Sequence, residues 1–281
     1  MTPDPLFDFS GKVILVTGGS RGLGYRMVKA FAERGADLII ASRKVENCEK
    51  VAEEVRALGR KALAVGMHAG RWAECDALIE RAYEEFGRVD VLVNNAGGIV
   101  TQRELSVDGH ELTLQRNVLG SVVLTEALMG ELVERSGRIV HTASLMHRVA
   151  RLDTTDLNYD RRAFRQGWPA YAEAKLGVVL YAKNVAARTG LESYPVHPGY
   201  VASNFGPDTP LARRVLKLSR PLQISVPAGA APLVHLVDTP ELEVENGNYF
   251  DGLNPFAQTH PATKNAALVE RYWEAVSSRV G

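Results

Sequence analysis

Short apolar runs alternate with longer amphipathic stretches from the start of the chain, and this alternation restricts the fold more than any other feature. Val13-Ile-Leu-Val-Thr17 reads as a strand, and a glycine loop follows it. Tyr25 to Arg34 reads as a helix ended by Gly35. The pattern repeats: strand Asp37–Ser42, helix Val45–Leu58 closed by Gly59, strand Ala62–Val65, helix Trp72–Phe86 closed by Gly87, strand Val89–Val93. Arg138–Thr142 and Ser193–His197 are two further strands, preceded by helices at about 109–134 and 169–189. A last strand near Asn248–Phe250 precedes a helix from about Ala262 to Val280. Strands that are apolar on both faces need helices on both faces. The pattern predicts an α/β fold: a single doubly wound, Rossmann-type domain over residues 1–281, with a parallel seven-stranded sheet flanked by helices.

Two stretches break the rhythm. Residues 145–168 form an insertion after the fifth strand, and residues 200–226 follow the sixth. Ligands of open α/β sheets bind beyond the carboxyl ends of strands, so the first stretch is expected to wall a site and the second to be a substrate lid. Their apolar residues, among them Leu145, Trp168, Phe205 and Leu216, suit a pocket or a subunit interface, which leaves a homo-oligomer open.

The chain carries 33 basic and 33 acidic side chains, so no overall field favours nucleic acid or an anionic membrane. No apolar run reaches the roughly 18 residues of a membrane span. Residues 1–8 lack the parts of a signal peptide, and a cytoplasmic location is expected. Cys48 and Cys75 are too few for a disulfide framework or a zinc site. His141, His147 and His197 do not have the spacing of a ligand set, and no metal is expected.

The first strand runs into Thr17-Gly18-Gly19-Ser20-Arg21-Gly22-Leu23-Gly24. Glycines there allow a tight turn and let backbone N–H groups and a helix N-terminus approach a pyrophosphate. Asn94-Asn-Ala96-Gly97 follows the fourth strand on the same sheet edge and suits a surface against which a nucleotide lies. The second strand ends in Ser42-Arg43-Lys44, where a dinucleotide fold selective for a ribose 2′-hydroxyl would place a carboxylate. An Arg at that point can bind a 2′-phosphate through paired hydrogen bonds, and Arg21 can reach the same group. NADP(H) is therefore the expected cofactor ahead of NAD(H).

Tyr171 and Lys175 lie four residues apart, on one face of a helix. A phenol titrates near about 10, and a neighbouring cation favours its ionised form. Such a pair suits carbonyl–alcohol redox chemistry with a nicotinamide cofactor, and so a small-molecule carbonyl or alcohol substrate.

Taken together, the Thr17–Gly24 loop, Asn94–Gly97, Asn117, Ser144, Tyr171-x-x-x-Lys175 and Pro198-Gly199-Tyr-Val201-Ala-Ser203 resemble the short-chain dehydrogenases/reductases. The resemblance implies that Tyr171 is the general acid–base and that Ser144 holds the substrate oxygen. It implies that Lys175 binds the nicotinamide ribose and lowers the Tyr171 pKa. Asn117 would hold a relay water, and Ser203 would contact the carboxamide. Arg138–Arg148, Asp156–Asn158, Ala170–Leu176 and Val196–Gly199 resemble the retinol dehydrogenase and WW-domain oxidoreductase-like branch. The first half looks closer to sugar- or polyol-type reductases. Met67-His68-Ala69 departs from the family by placing His68 where many members have an Asp for the adenine amino group. A neutral imidazole could accept that hydrogen bond. The expected activity is that of an NADP(H)-dependent carbonyl reductase or alcohol dehydrogenase acting on a lipophilic or aromatic compound. The alternative is a non-catalytic relative that binds nucleotide in a signalling or scaffold role.

Overall fold

The computed structural model describes residues 8–202, 220–239 and 242–280, with Leu222 described by its backbone alone. Seven parallel strands form one sheet in the order β3-β2-β1-β4-β5-β6-β7. They are β1 (Val13–Thr17), β2 (Asp37–Ser42), β3 (Ala62–Gly66), β4 (Val91–Asn94), β5 (Arg138–Thr142), β6 (Glu192–His197) and β7 (Phe250–Asp251). The order reverses between β1 and β4, which lie side by side with Leu15 opposite Leu92. That reversal opens a crevice beyond the carboxyl ends of the strands.

Side chains alternate across each strand. Ile14, Val16, Leu38 and Ile40 face one core, with α1 (Gly22–Glu33), α2 (Val45–Ala57) and a helix at Val226–Asp238. Val13, Leu15, Ile39 and Leu92 face the other, with α3 (Trp72–Phe86) and four further helices. Those are α4 (Leu112–Leu114), α5 (Gly120–Glu134), α6 (Trp168–Thr189) and α8 (Ala266–Val280). Among the described residues, no helix is long and apolar enough to cross a membrane.

The helix at Val226–Asp238, here α7, has no counterpart in the sequence reading. Pro227, Gly229 and Pro232 punctuate it, and such residues read as breakers. Pro227 lies in the first turn, where a missing N–H costs nothing, and Ser225 caps the helix by accepting from the Ala228 N–H. Burial of Leu233, Val234, Leu236 and Val237 outweighs the interior Pro232. The helix expected at about 109–134 is also corrected. It starts at Leu112, where the Glu111 carboxylate accepts from the N–H groups of Thr113 and Leu114. It then widens into a π turn at Gln115–Leu119 before continuing as α5.

Candidate active site

The crevice is floored by the glycine loop. Gly18 has φ +68°, and a Cβ on it would lie 2.9 Å from Asn95 Nδ2. A Cβ on Gly24 would lie 2.1 Å from the Gly18 carbonyl oxygen, so only glycine lets α1 dock on the loop. Nothing stands within 4 Å of where a Cβ of Gly22 would point. Arg21, the residue before α1, makes no side-chain cap, which leaves the first-turn N–H groups for a ligand. This bare cradle at a helix N-terminus fits the pyrophosphate of a dinucleotide. Thr17 and Asn95 fix it in place. Thr17 Oγ1 accepts from the N–H groups of Asn95 and Ala96 at 2.9 Å each, and Asn95 Nδ2 donates to the Thr17 carbonyl at 2.9 Å. Leu23 and Val201 pack on the same point of α7, both near the position a Cβ of Gly229 would take.

Asn95 is thus a site-building residue that its motif alone did not single out. Asn94 points the other way. Its amide turns into the sheet interior, 3.3 Å from Thr125 Oγ1 and 3.4 Å from His141 Nδ1. The Asn94 side chain is therefore spent on the core.

At the adenosine end, Ser20 Oγ donates to Ser42 Oγ at 2.9 Å, tying the glycine loop to β2. Arg21 and Arg43 are exposed. His68, expected to accept from the adenine amino group, already has partners within the chain. A neutral imidazole has one lone pair. The Gly70 N–H lies 3.1 Å from Nδ1 and the Arg116 guanidinium 3.2 Å from Nε2, so that lone pair is already engaged. Burial, then Arg116, Arg43 and Arg71, hold the His68 pKa below its ordinary value. Ala69 lies beside it, with its carbonyl oxygen 2.3 Å from where a Cβ of Gly120 would stand. Arg116, missed by the sequence reading, is half-buried, and its own pKa is lowered by burial and by Arg43.

The catalytic candidates converge beyond β4 and β5. Tyr171 and Lys175 are buried on α6. Burial pushes the Tyr171 phenol above its ordinary pKa, and a hydrogen bond with Ser144 works against that shift. The expected lowering by Lys175 is not what this arrangement produces: the ammonium is 5.7 Å from the Tyr171 ring centre, and Ser144 is the group that favours the phenolate. Lys175 Nζ donates to the Thr142 carbonyl at 2.8 Å, and burial pulls its pKa down to about 8. Asn117 occupies the π turn. Its Nδ2 donates to the carbonyls of Gly98 (2.8 Å) and Thr113 (2.7 Å), and its Oδ1 accepts from the Gly98 N–H at 3.2 Å. A Cβ on Gly97 would stand 2.5 Å from Asn117 Oδ1 and 3.5 Å from Lys175 Nζ, so glycine is what leaves room there for the Asn117 amide.

After β6, Pro198 is buried and Gly199 has φ +91°. Val201 bridges Ile224, and the Ala202 N–H donates to the Ile224 carbonyl at 2.9 Å, strapping together the two ends of the 200–226 stretch. Ser203 and the middle of the expected lid lie outside the described residues. The 145–168 insertion is anchored by Arg162, which reaches Glu173 of α6 and Asp156. Trp168 is 41 % exposed and meets the Tyr171 ring edge-on at 6.4 Å. Leu145, Tyr200 and Ile224 are also exposed.

The two thiols are buried, and burial pushes Cys48 up to about 11 and Cys75 up to about 12. Among the described residues, no three His, Cys, Asp or Glu side chains group as a metal site.

A profile of the short chain dehydrogenase family matches residues 12–155. Human retinol dehydrogenase 13 is 30 % identical over 96 % of this chain and 85 % of its own length. A protein of Streptomyces sp. (strain C5) named for daunorubicin C-13 ketoreductase is 31 % identical, over 96 % of this chain and 93 % of its own. The crystal structure of a short chain dehydrogenase from Burkholderia cenocepacia in complex with NADP superposes with a TM-score of 0.67 at 29 % identity, covering 86 % of this chain and 96 % of that one.

Proposed function

The chain belongs to the short-chain dehydrogenase/reductase family, in its retinol dehydrogenase-like branch, and on that premise we propose that it interconverts a ketone or aldehyde with an alcohol using NADP(H). The observation that carries this reading is the gathering of Ser144, Tyr171, Lys175 and Asn117 at one end of the sheet, beside a glycine cradle with an uncapped helix N-terminus. Gly18, Ser20, Gly22, Ser42 and Arg43 would hold the adenosine half, and Lys175 with Asn117 would border the nicotinamide ribose. Bound NADPH supplies the hydride.

The chain's own residues handle the proton. Ser144 Oγ accepts from the Met146 N–H at 3.3 Å and shares a hydrogen bond with Tyr171, so its hydroxyl stands beside the phenol and would donate to the substrate oxygen when that oxygen arrives. Tyr171 gives its hydroxyl proton to that oxygen, and alcohol oxidation reverses the transfer. A phenolate left in so buried a place needs a donor nearby, and the hydrogen bond with Ser144 supplies it. The Asn117 amide is already committed to backbone, so a relay water would be held by the Asn117 carbonyl.

The exposed Leu145, Trp168, Tyr200 and Ile224 favour a lipophilic or aromatic substrate, in keeping with relatives named for retinol and daunorubicin. NADPH oxidation with a panel of lipophilic ketones and aldehydes tests the proposal. Tyr171→Phe should cut kcat by about 10²–10⁴-fold and leave NADPH affinity intact. Tight nucleotide binding with no turnover across the panel would favour the non-catalytic role instead.

A further inference from the structure

We propose that His147 is a positioning residue for Ser144: its imidazole clamps the Ser144 carbonyl and thereby aims the Ser144 hydroxyl at the reacting oxygen. The inference rests on the reading that Ser144 polarises the substrate carbonyl.

His147 Nδ1 lies 2.7 Å from the Ser144 carbonyl oxygen, and the His147 backbone N–H reaches the same oxygen at 3.1 Å. A carbonyl can only accept, so Nδ1 carries the proton and the tautomer is fixed. Two donors on one oxygen hold the peptide plane that follows Ser144. That plane fixes ψ of Ser144 and the direction of its Cα–Cβ bond, and the Met146 N–H, 3.3 Å from Oγ, sets the rotation about that bond.

The clamp is itself held firmly. His147 has no exposed surface, and its ring centre lies 4.5 Å from that of Tyr249, just before β7. The next residue, Arg148, donates to the Gln258 carbonyl at 2.8 Å and to Asp251 at 3.2 Å. The strand end that carries Ser144 is thus tied to the region around β7, across β6. Burial holds the His147 pKa below its ordinary value against the opposing hydrogen bond to Ser144, with Arg148 and His260 also lowering it and Asp251 raising it. His197 also feels His147, and burial pulls its pKa down to about 4.

An Asn amide places its N–H near where Nδ1–H stands, whereas the longer Gln amide reaches toward the Nε2 position. His147→Asn should keep kcat within about 3-fold of wild type, and His147→Gln should lose about 10- to 100-fold, since a small misplacement of an aligned group costs that much. The KM for NADPH should stay unchanged in both. If Asn and Gln variants of matched Tm turn over equally, the role is packing and the proposal fails. In the wild-type protein labelled with 15N-histidine, the resonances assigned to His147 by their loss in either variant should report the Nδ1–H tautomer; an Nε2–H tautomer overturns the clamp. Full activity in Ser144→Ala would defeat the underlying reading. An inactive Ser144→Ala with equal His147 variants would defeat the clamp alone.

Discussion

Arg162 grips Glu173 with both terminal guanidinium nitrogens, at 2.5 and 3.0 Å, and Glu173 stands midway between Tyr171 and Lys175 on α6. The same guanidinium reaches Asp156 at 3.1 Å and lies 4.1 Å from the centre of the Tyr159 ring. The insertion is thereby fastened to the back of the helix that carries the acid–base pair. Burial raises the Glu173 pKa, while Arg162 and Tyr159 work against the shift. Arg162→Met should cost about 3 kcal/mol, because it strands a buried carboxylate. A carboxyl with a raised folded pKa loses stability as pH rises through that pKa, and removing Arg162 raises it further. The Tm deficit of the variant should therefore shrink between about pH 8 and about pH 5, as Glu173 takes up a proton. A deficit independent of pH would show that Glu173 is not the stranded group.

Lys175 gives a pH signature of the opposite slope. Its pKa falls from 10.5 to about 8 on burial in the cofactor-free protein. Between those values the unfolded chain holds a proton that the folded chain does not, so stability rises with pH across that window and is lost as pH falls through it. Lys175→Met should abolish the rise. Unfolding midpoints in urea measured from about pH 7 to about pH 10 check this, and parallel curves for the two proteins would refute it.

Arg43 should set the nucleotide preference. Losing its charge-assisted contact in Arg43→Ala should narrow the NADPH-over-NADH ratio by about 10- to 100-fold, mainly through weaker NADPH binding. Fluorescence titration of both nucleotides measures it. Equal ratios in variant and wild type would shift the 2′-phosphate role to another residue, with Arg21 next in line.

Trp168 should read the substrate. It stands edge-on to Tyr171 with two-fifths of its surface exposed, 41 %. Trp168→Ala should raise KM for a bulky aromatic ketone by about 10-fold through lost apolar burial and leave a small aldehyde almost unaffected. Steady-state kinetics on the two substrates decide it, and a wild-type preference for a free sugar would reject the apolar pocket.

The sequence by itself determined the local parts. Val13–Thr17, Asp37–Ser42, Trp72–Phe86 and Arg138–Thr142 begin and end where their apolar periods do. Gly18, Gly22 and Gly24 announce the cradle because its chemistry needs missing side chains at fixed spacing. Tyr171 and Lys175 pair along one helix face. Where local punctuation misled, as at Pro227 and Pro232 of α7, the cause was burial that no neighbouring residue reveals. Tertiary structure alone decided the rest, because each of the remaining contacts joins residues far apart in the chain. Asn95 clamps Thr17 across 78 residues, and Arg116 meets His68 across 48. The setting of the acid–base pair belongs here too. Pattern suggested that Lys175 tunes Tyr171, but a pKa answers to burial and to three-dimensional neighbours. In the folded chain those are a dry helix face and Ser144, brought in from the end of β5.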